Sequence, residues 1–193
     1  MKKLSECETF VKPENRITLE YASKDKESGG DVYMTHSQIM VTDFDKVKDE
    51  YTKILKLNNH PASNDALYIK SDSESVFIEF KNGDINKFNI RKKIYDSVLI
   101  FTDLVDCTIS DTREHMEYIL VYNSDKNSDP KTKYLESKNR DDIGKILLGY
   151  GRKELIKFGL EMFEGYCFKE VHTYNKEEFE QEFVNKIQED VSC

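Results

Sequence analysis

Apolar side chains recur along this chain at two periods, and the period changes several times. In NRITLEY (15–21), Ile17, Leu19 and Tyr21 occupy alternate positions, which predicts a strand. A polar stretch from Lys24 to Gly30 follows it. Ile39, Met40, Phe44, Val47, Tyr51, Ile54 and Leu55 then recur largely three and four apart, predicting helix with Ser37 as its cap. Asp43-Phe44-Asp45 is placed to break that helix in two, and the turn Asn58-Asn59-His60-Pro61 ends it.

Alternation returns in DALYIK (65–70) and SVFIEFK (75–81), two short strands joined by the polar link Ser71-Asp72-Ser73-Glu74. From about Asn86 the helical period resumes through Ile90, Ile94, Val98, Phe101 and Val105. The unbroken apolar run of EYILVYN (117–123) predicts a central strand buried on both faces. Residues 124–140 are charged and read as an exposed loop, and Asp141 to Phe163 carries a helical pattern interrupted by Gly149 and Gly151. CFKEVHTY (167–174) predicts another strand. Asn175 and Glu178 then have the spacing of a capping box, opening a helix with Phe179, Phe183 and Ile187 on one side.

The expected fold is α/β: a single domain over residues 1–193, with a mixed central sheet flanked by helices. Its core spans 36–123, and a C-terminal helix–strand–helix extension spans 141–190.

Composition supports a packed core, with eleven Tyr and eleven Phe in 193 residues. The net charge of −8 removes any global attraction to nucleic acid or to an anionic membrane surface, so a nucleic-acid site has to be a local basic patch. The cysteines at 7, 107, 167 and 193 form no CxxC pair and indicate neither a zinc knuckle nor a redox motif. MKKLSECETF lacks the apolar segment of a signal peptide, and no apolar run approaches the ~18 residues of a membrane span. The expected setting is cytoplasmic, with no membrane association.

Candidate chemistry concentrates in VFIEFKNG (76–83). Strand alternation puts Glu79 and Lys81 on one face and Ile78 and Phe80 on the other. A metal-dependent phosphodiesterase needs carboxylates to hold the ion, an open position for water, and a cation near the nucleophile or the phosphate. If the short link pairs the two strands, Asp65 lies across from the Glu79–Lys81 end and supplies a second carboxylate. Just downstream, Lys87, Arg91, Lys92 and Lys93 join Lys81 as five cations opposed only by Asp84, the most concentrated basic segment of the chain.

The pattern Asp65…Glu79-Phe80-Lys81, read within helix–strand–strand–strand–helix–strand over residues 36–123, resembles the PD-(D/E)XK (restriction-endonuclease-like) superfamily. Asn64 stands where the motif's name has proline. The resemblance implies a restriction-endonuclease-like core and a nuclease or nuclease-like phosphodiesterase acting on DNA or RNA. Asp65 and Glu79 would then bind Mg²⁺ or Mn²⁺, with Glu50 on the preceding helix as a further ligand, and Lys81 would assist the attacking water. The helix carrying Lys87, Arg91, Lys92 and Lys93 flanks the active site in that fold and would receive phosphates.

A second class fits the bulk charge better: a non-catalytic acidic protein of the immunity or antitoxin type that covers a basic partner. Its motivation is the acidic last helix, with Glu177, Glu178, Glu180, Glu182, Glu189 and Asp190. His36, His60, His115 and His172 are dispersed without metal-ligand spacing, and Tyr118 and Tyr122 sit in core-like patterns. The direction in which Asp65 points discriminates between the two classes.

Overall fold

The computed structural model describes residues 2–127 and 155–192. Short turns, including α1 (Glu8–Val11), lead into β1 (Arg16–Thr18), α2 (Leu19–Ala22), β2 (Lys24–Glu27), β3 (Gly30–Tyr33) and β4 (Met40–Asp43). Then come α3 (Phe44–Leu55), β5 (Ala66–Ile69), β6 (Ser75–Lys81), α4 (Lys87–Leu104), α5 (Ile109–His115) and β7 (Met116–Tyr122). β8 (Glu170–Tyr174) precedes a last helical run made of α6 (Lys176–Phe179), a π-helical turn (Glu180–Val184) and α7 (Asn185–Ser192).

These elements build one α/β domain on a mixed six-stranded sheet of order β1-β4-β5-β6-β7-β8, while β2 and β3 form a separate hairpin. The first four strands pair antiparallel, and β7 and β8 run parallel to β6. The polar link 71–74 suffices for the antiparallel step from β5 to β6. The parallel step from β6 to β7 needs a crossover, which α4 and α5 supply. On one face Phe77, Tyr118, Leu120 and Tyr122 pack with Phe44, Ile90, Ile94 and Phe101. On the other, Val76, Ile78, Phe80, Ile119 and Val121 meet Phe179, Phe183 and Val184 of the last helical run. β7 is covered on both sides, which accounts for its unbroken apolar run.

Four expectations need correction. The NRITLEY strand stops at Thr18, whose hydroxyl accepts the Tyr21 N–H and turns the chain into α2. Ser37 opens no helix: residues 40–43 are a strand, and Asp43 caps α3 by accepting the Lys46 N–H at 3.2 Å. Only β5 and β6 therefore lie between α3 and α4, and the third antiparallel strand, β4, enters ahead of α3. Residues 155–163 contain only the 3₁₀ turn Glu161–Phe163 where helix was expected, and the rest of the 141–163 helix lies outside the described residues. The expected loop at 124–140 falls mostly outside them as well. The α5 helix was not read from the sequence, although Asp111 accepts the Thr108 N–H at 2.7 Å in a capping box. Among the described residues no helix is long and apolar enough to cross a membrane.

Candidate active site

Hairpin register builds this site. Ala66 pairs with Ile78 and Ile69 with Ser75, which brings Asp65, just before β5, level with the end of β6. Its Oδ2 accepts the Phe80 N–H at 2.7 Å, so Asp65 points at β6. The approach to Asp65 is anchored from α4, where Asp96 Oδ2 accepts the Ala62 N–H at 2.7 Å and Ser97 Oγ accepts the Asn64 N–H at 2.8 Å. The Asp65 carbonyl accepts the Phe44 N–H at 3.2 Å, tying it to the start of α3.

Glu79 is fully buried on the face shared with Phe77. The Lys81 ammonium lies 2.8 Å from its Oε1. Lys93, reaching down from α4, donates to Oε1 at 2.7 Å and to Oε2 at 2.9 Å, and also to Asp65 Oδ1 at 3.0 Å. One ammonium thus links both carboxylates. Burial and the nearby Asp65 charge push the Glu79 carboxyl up to about 7, against the pull of Lys93 and Lys81. Burial pulls the Lys93 ammonium down, but the two carboxylates outweigh it and hold its pKa above the ordinary lysine range. Tyr118 lies fully buried nearby, its hydroxyl with no hydrogen-bond partner among the described residues, and burial followed by the Glu79 and Asp65 charges raises it well above 10.

No protein-family model matches this chain, and neither a curated protein nor a solved structure matches it. What the site can do therefore follows from its own atoms.

A groove of about 460 Å³ opens beside the cluster. Asp65 and Lys81 reach it, with side chains 20% and 27% exposed, while Glu79 at 0% lies behind them. Asp25, Asp43, Asp45 and Asp84 also line this groove, against one further lysine, Lys24, so its walls are acidic. The pair Asp65 and Glu79 is a cation site by chemistry, and the cation it holds is the protein's own.

The other expected site residues are dispersed. Glu50 pairs with Lys12 at 2.5 Å and takes a hydrogen bond from Asn15 at 3.3 Å. Among the described residues no three His, Cys, Asp or Glu side chains come together as metal ligands, so Glu50 does not join Asp65 and Glu79. Lys93 is no free phosphate contact, because the two carboxylates occupy its ammonium. Lys87 and Lys92 are exposed, and Arg91 is half-buried against Gly159, where a Cβ would come within 3.3 Å of its Nη2. One signal in the sequence pointed to Lys93 as an inward lysine. It lies three residues after Ile90 and four before Ser97, both on the sheet-facing side of α4.

Proposed function

We propose that this chain is a divalent-metal-dependent phosphodiesterase with a restriction-endonuclease-like core, acting on DNA or RNA. One observation carries the reading: Asp65, bonded to the backbone of β6, converges with Glu79 and Lys81 at a single strand end beside a groove. The succession β5–β6–α4–β7, an antiparallel hairpin followed by a parallel crossover strand, supports it. The position of β4 ahead of α3 departs from the expected element order.

The donor chemistry fits Mg²⁺ or Mn²⁺, which take one or two protein carboxylates and otherwise keep water. Asp65 and Glu79 would hold the ion, and Lys93, which bridges them, would have to release its carboxylate contacts. When bound, the metal supplies charge neutralisation and a water of lowered pKa. Lys81, at the exposed end of β6, orients the attacking water and faces the phosphate. Asp65 is fixed through Oδ2 by the Phe80 N–H, which leaves Oδ1, now bonded to Lys93, as the oxygen that would reach a metal.

The test is cleavage of single- and double-stranded DNA and RNA in Mg²⁺ or Mn²⁺ by the wild type and by Asp65→Asn, Glu79→Gln and Lys81→Met. Metal-dependent cleavage should fall by roughly 10² or more in each variant. Cleavage indifferent to all three substitutions sinks the mechanism. A second reading, an acidic non-catalytic protein that covers a basic partner, draws on the groove's five aspartates against two lysines. Recovery of a basic protein that is lost on Asp84→Lys, in the absence of any cleavage, decides for it.

A further inference from the structure

The far end of β7 gathers cations that the reading above leaves unused. Tyr122 is the register partner of Lys81 across the parallel β6–β7 pair. Tyr118, Leu120 and Tyr122 share the α4 face of the sheet, so the Tyr122 and Lys81 side chains stand on the same side. The Lys157 ammonium donates to the Tyr122 hydroxyl and lies 4.9 Å from the centre of its ring. Among the described residues no carboxylate pairs with Lys157 or with Arg91.

The turn that delivers Lys157 is strained. Phe158 has φ 62° and Gly159 φ 74°, and a left-handed conformation costs a bulky aromatic residue on the order of 1–3 kcal/mol. Two contacts hold it there. The Lys157 N–H donates to Thr173 Oγ1 of β8 at 2.9 Å, and Phe158 packs edge-on to Tyr122 with centroids 5.0 Å apart. Gly159 leaves room for Arg91, whose Nε is buried with no hydrogen-bond partner among the described residues. Lys87 lies one turn earlier on the same side of α4.

An ammonium held by a phenol and a guanidinium with an unpartnered donor, brought together by a strained turn beside Lys81, make a seat for an anion. We propose that Lys157, Tyr122 and Arg91 bind a backbone phosphate next to the scissile one. The proposal rests on the phosphodiesterase reading and extends its contact with DNA or RNA to a second phosphate of the same strand, beyond the one at the carboxylates.

The test is fluorescence anisotropy with a 5′-fluorescein-labelled 12-nucleotide single-stranded DNA and the matching RNA. It is run in EDTA at 50 and 200 mM NaCl so that nothing is cleaved. Lys157→Gln and Arg91→Gln should each weaken binding roughly five- to tenfold at the lower salt and reduce the salt slope by about one contact. Lys157→Arg and the exposed control Lys169→Gln, at the opposite end of β7, should stay within about twofold of wild type. If Lys157→Gln melts early by circular dichroism, Tyr122→Phe carries the test, because it removes only the hydroxyl that holds Lys157. Binding by the Lys157 and Arg91 variants equal to that of Lys169→Gln overturns the seat, as does a wild type that binds neither oligonucleotide. Loss of binding in those variants with no cleavage by wild type in Mg²⁺ overturns the phosphodiesterase reading alone. Cleavage that needs Glu79 but not Lys157 or Arg91 overturns the seat alone.

Discussion

Lys93 bonds both carboxylate oxygens of Glu79, at 2.7 and 2.9 Å, from a helix that packs across the sheet rather than from the strand that carries Glu79. A carboxylate with no exposed surface can ionise only if its charge is met at close range. Lys93 and Lys81 meet it together, and Lys93 also holds Asp65, so two cations balance two anions in one cluster. Such a cluster stabilises little relative to apolar packing, yet it cannot lose one member cheaply.

Lys93→Met therefore removes the bridge and leaves the buried carboxylate short of charge. In metal-free buffer at pH 8, urea unfolding should show a loss of about 3–5 kcal/mol. The double variant Lys93→Met/Glu79→Gln should recover at least about 1 kcal/mol of that, since the residues are in direct contact. Additive losses in the cycle contradict the bridge.

Acid should favour the folded state through Glu79. Its carboxyl sits up near 7 against an ordinary 4.5, first from burial and then from Asp65, so the folded chain binds the extra proton between those values. The contribution is fully present below about pH 4.5 and is lost as pH rises through about 7. In EDTA, the stability of wild type relative to Glu79→Gln should fall across this window, with a slope of about 1.4 kcal/mol per pH unit. A difference that does not vary with pH contradicts the assignment.

The cluster was half legible in the sequence, and the reason is range. Asp65, Glu79 and Lys81 belong to one hairpin whose link at 71–74 fixes the register, so alternation alone brings them together. Within the basic segment Lys93 reads as one charge among several, and only its spacing from Ile90 and Ser97 sets it on the inward side of α4. Arg91, Lys92 and Lys93 leave a helix about 100° apart, and charge density does not say which of them turns inward. Glu50 was misread because its partner Lys12 comes from a distant segment, and the Lys157–Tyr122 contact spans 35 residues. The Ser37 cap failed because β4 abuts α3 directly, so strand residues Met40 and Phe44 of the helix fell by accident at helical spacing.

Ser97 positions Asp65 without touching it, by accepting the Asn64 N–H at 2.8 Å in a fully buried setting. Ser97→Ala leaves that donor unmet and should cost about 1–3 kcal/mol in urea unfolding. If the site is catalytic, kcat should also fall while oligonucleotide binding in EDTA holds, because only the carboxylate's placement is disturbed. Wild-type stability in Ser97→Ala would mean that the loop finds another acceptor.

Asp43 closes β4 and opens α3 in one residue. Asp43→Ala should lose about 1 kcal/mol of stability through the missing cap, whereas Ser37→Ala should leave α3 unaffected. Hydrogen exchange of the Lys46 amide provides the local check, and faster exchange is expected in Asp43→Ala alone.

On the phosphodiesterase reading, a metal would compete with Lys93 for the same two carboxylates. Removing the ammonium leaves two anions without their internal cation, and a divalent ion relieves both at once. Calorimetric titration with Mn²⁺ should therefore show tighter binding to Lys93→Met than to wild type, by roughly tenfold or about 1.4 kcal/mol. Mn²⁺ should also restore part of the stability that the variant loses, rising with concentration as expected for a ligand that binds only the folded chain. Lys81→Met should gain less, because Lys81 meets Glu79 alone and leaves the Asp65–Lys93 contact intact. Glu79→Gln should bind Mn²⁺ more weakly than wild type. Equal affinity across all four proteins would remove Asp65 and Glu79 as a metal site.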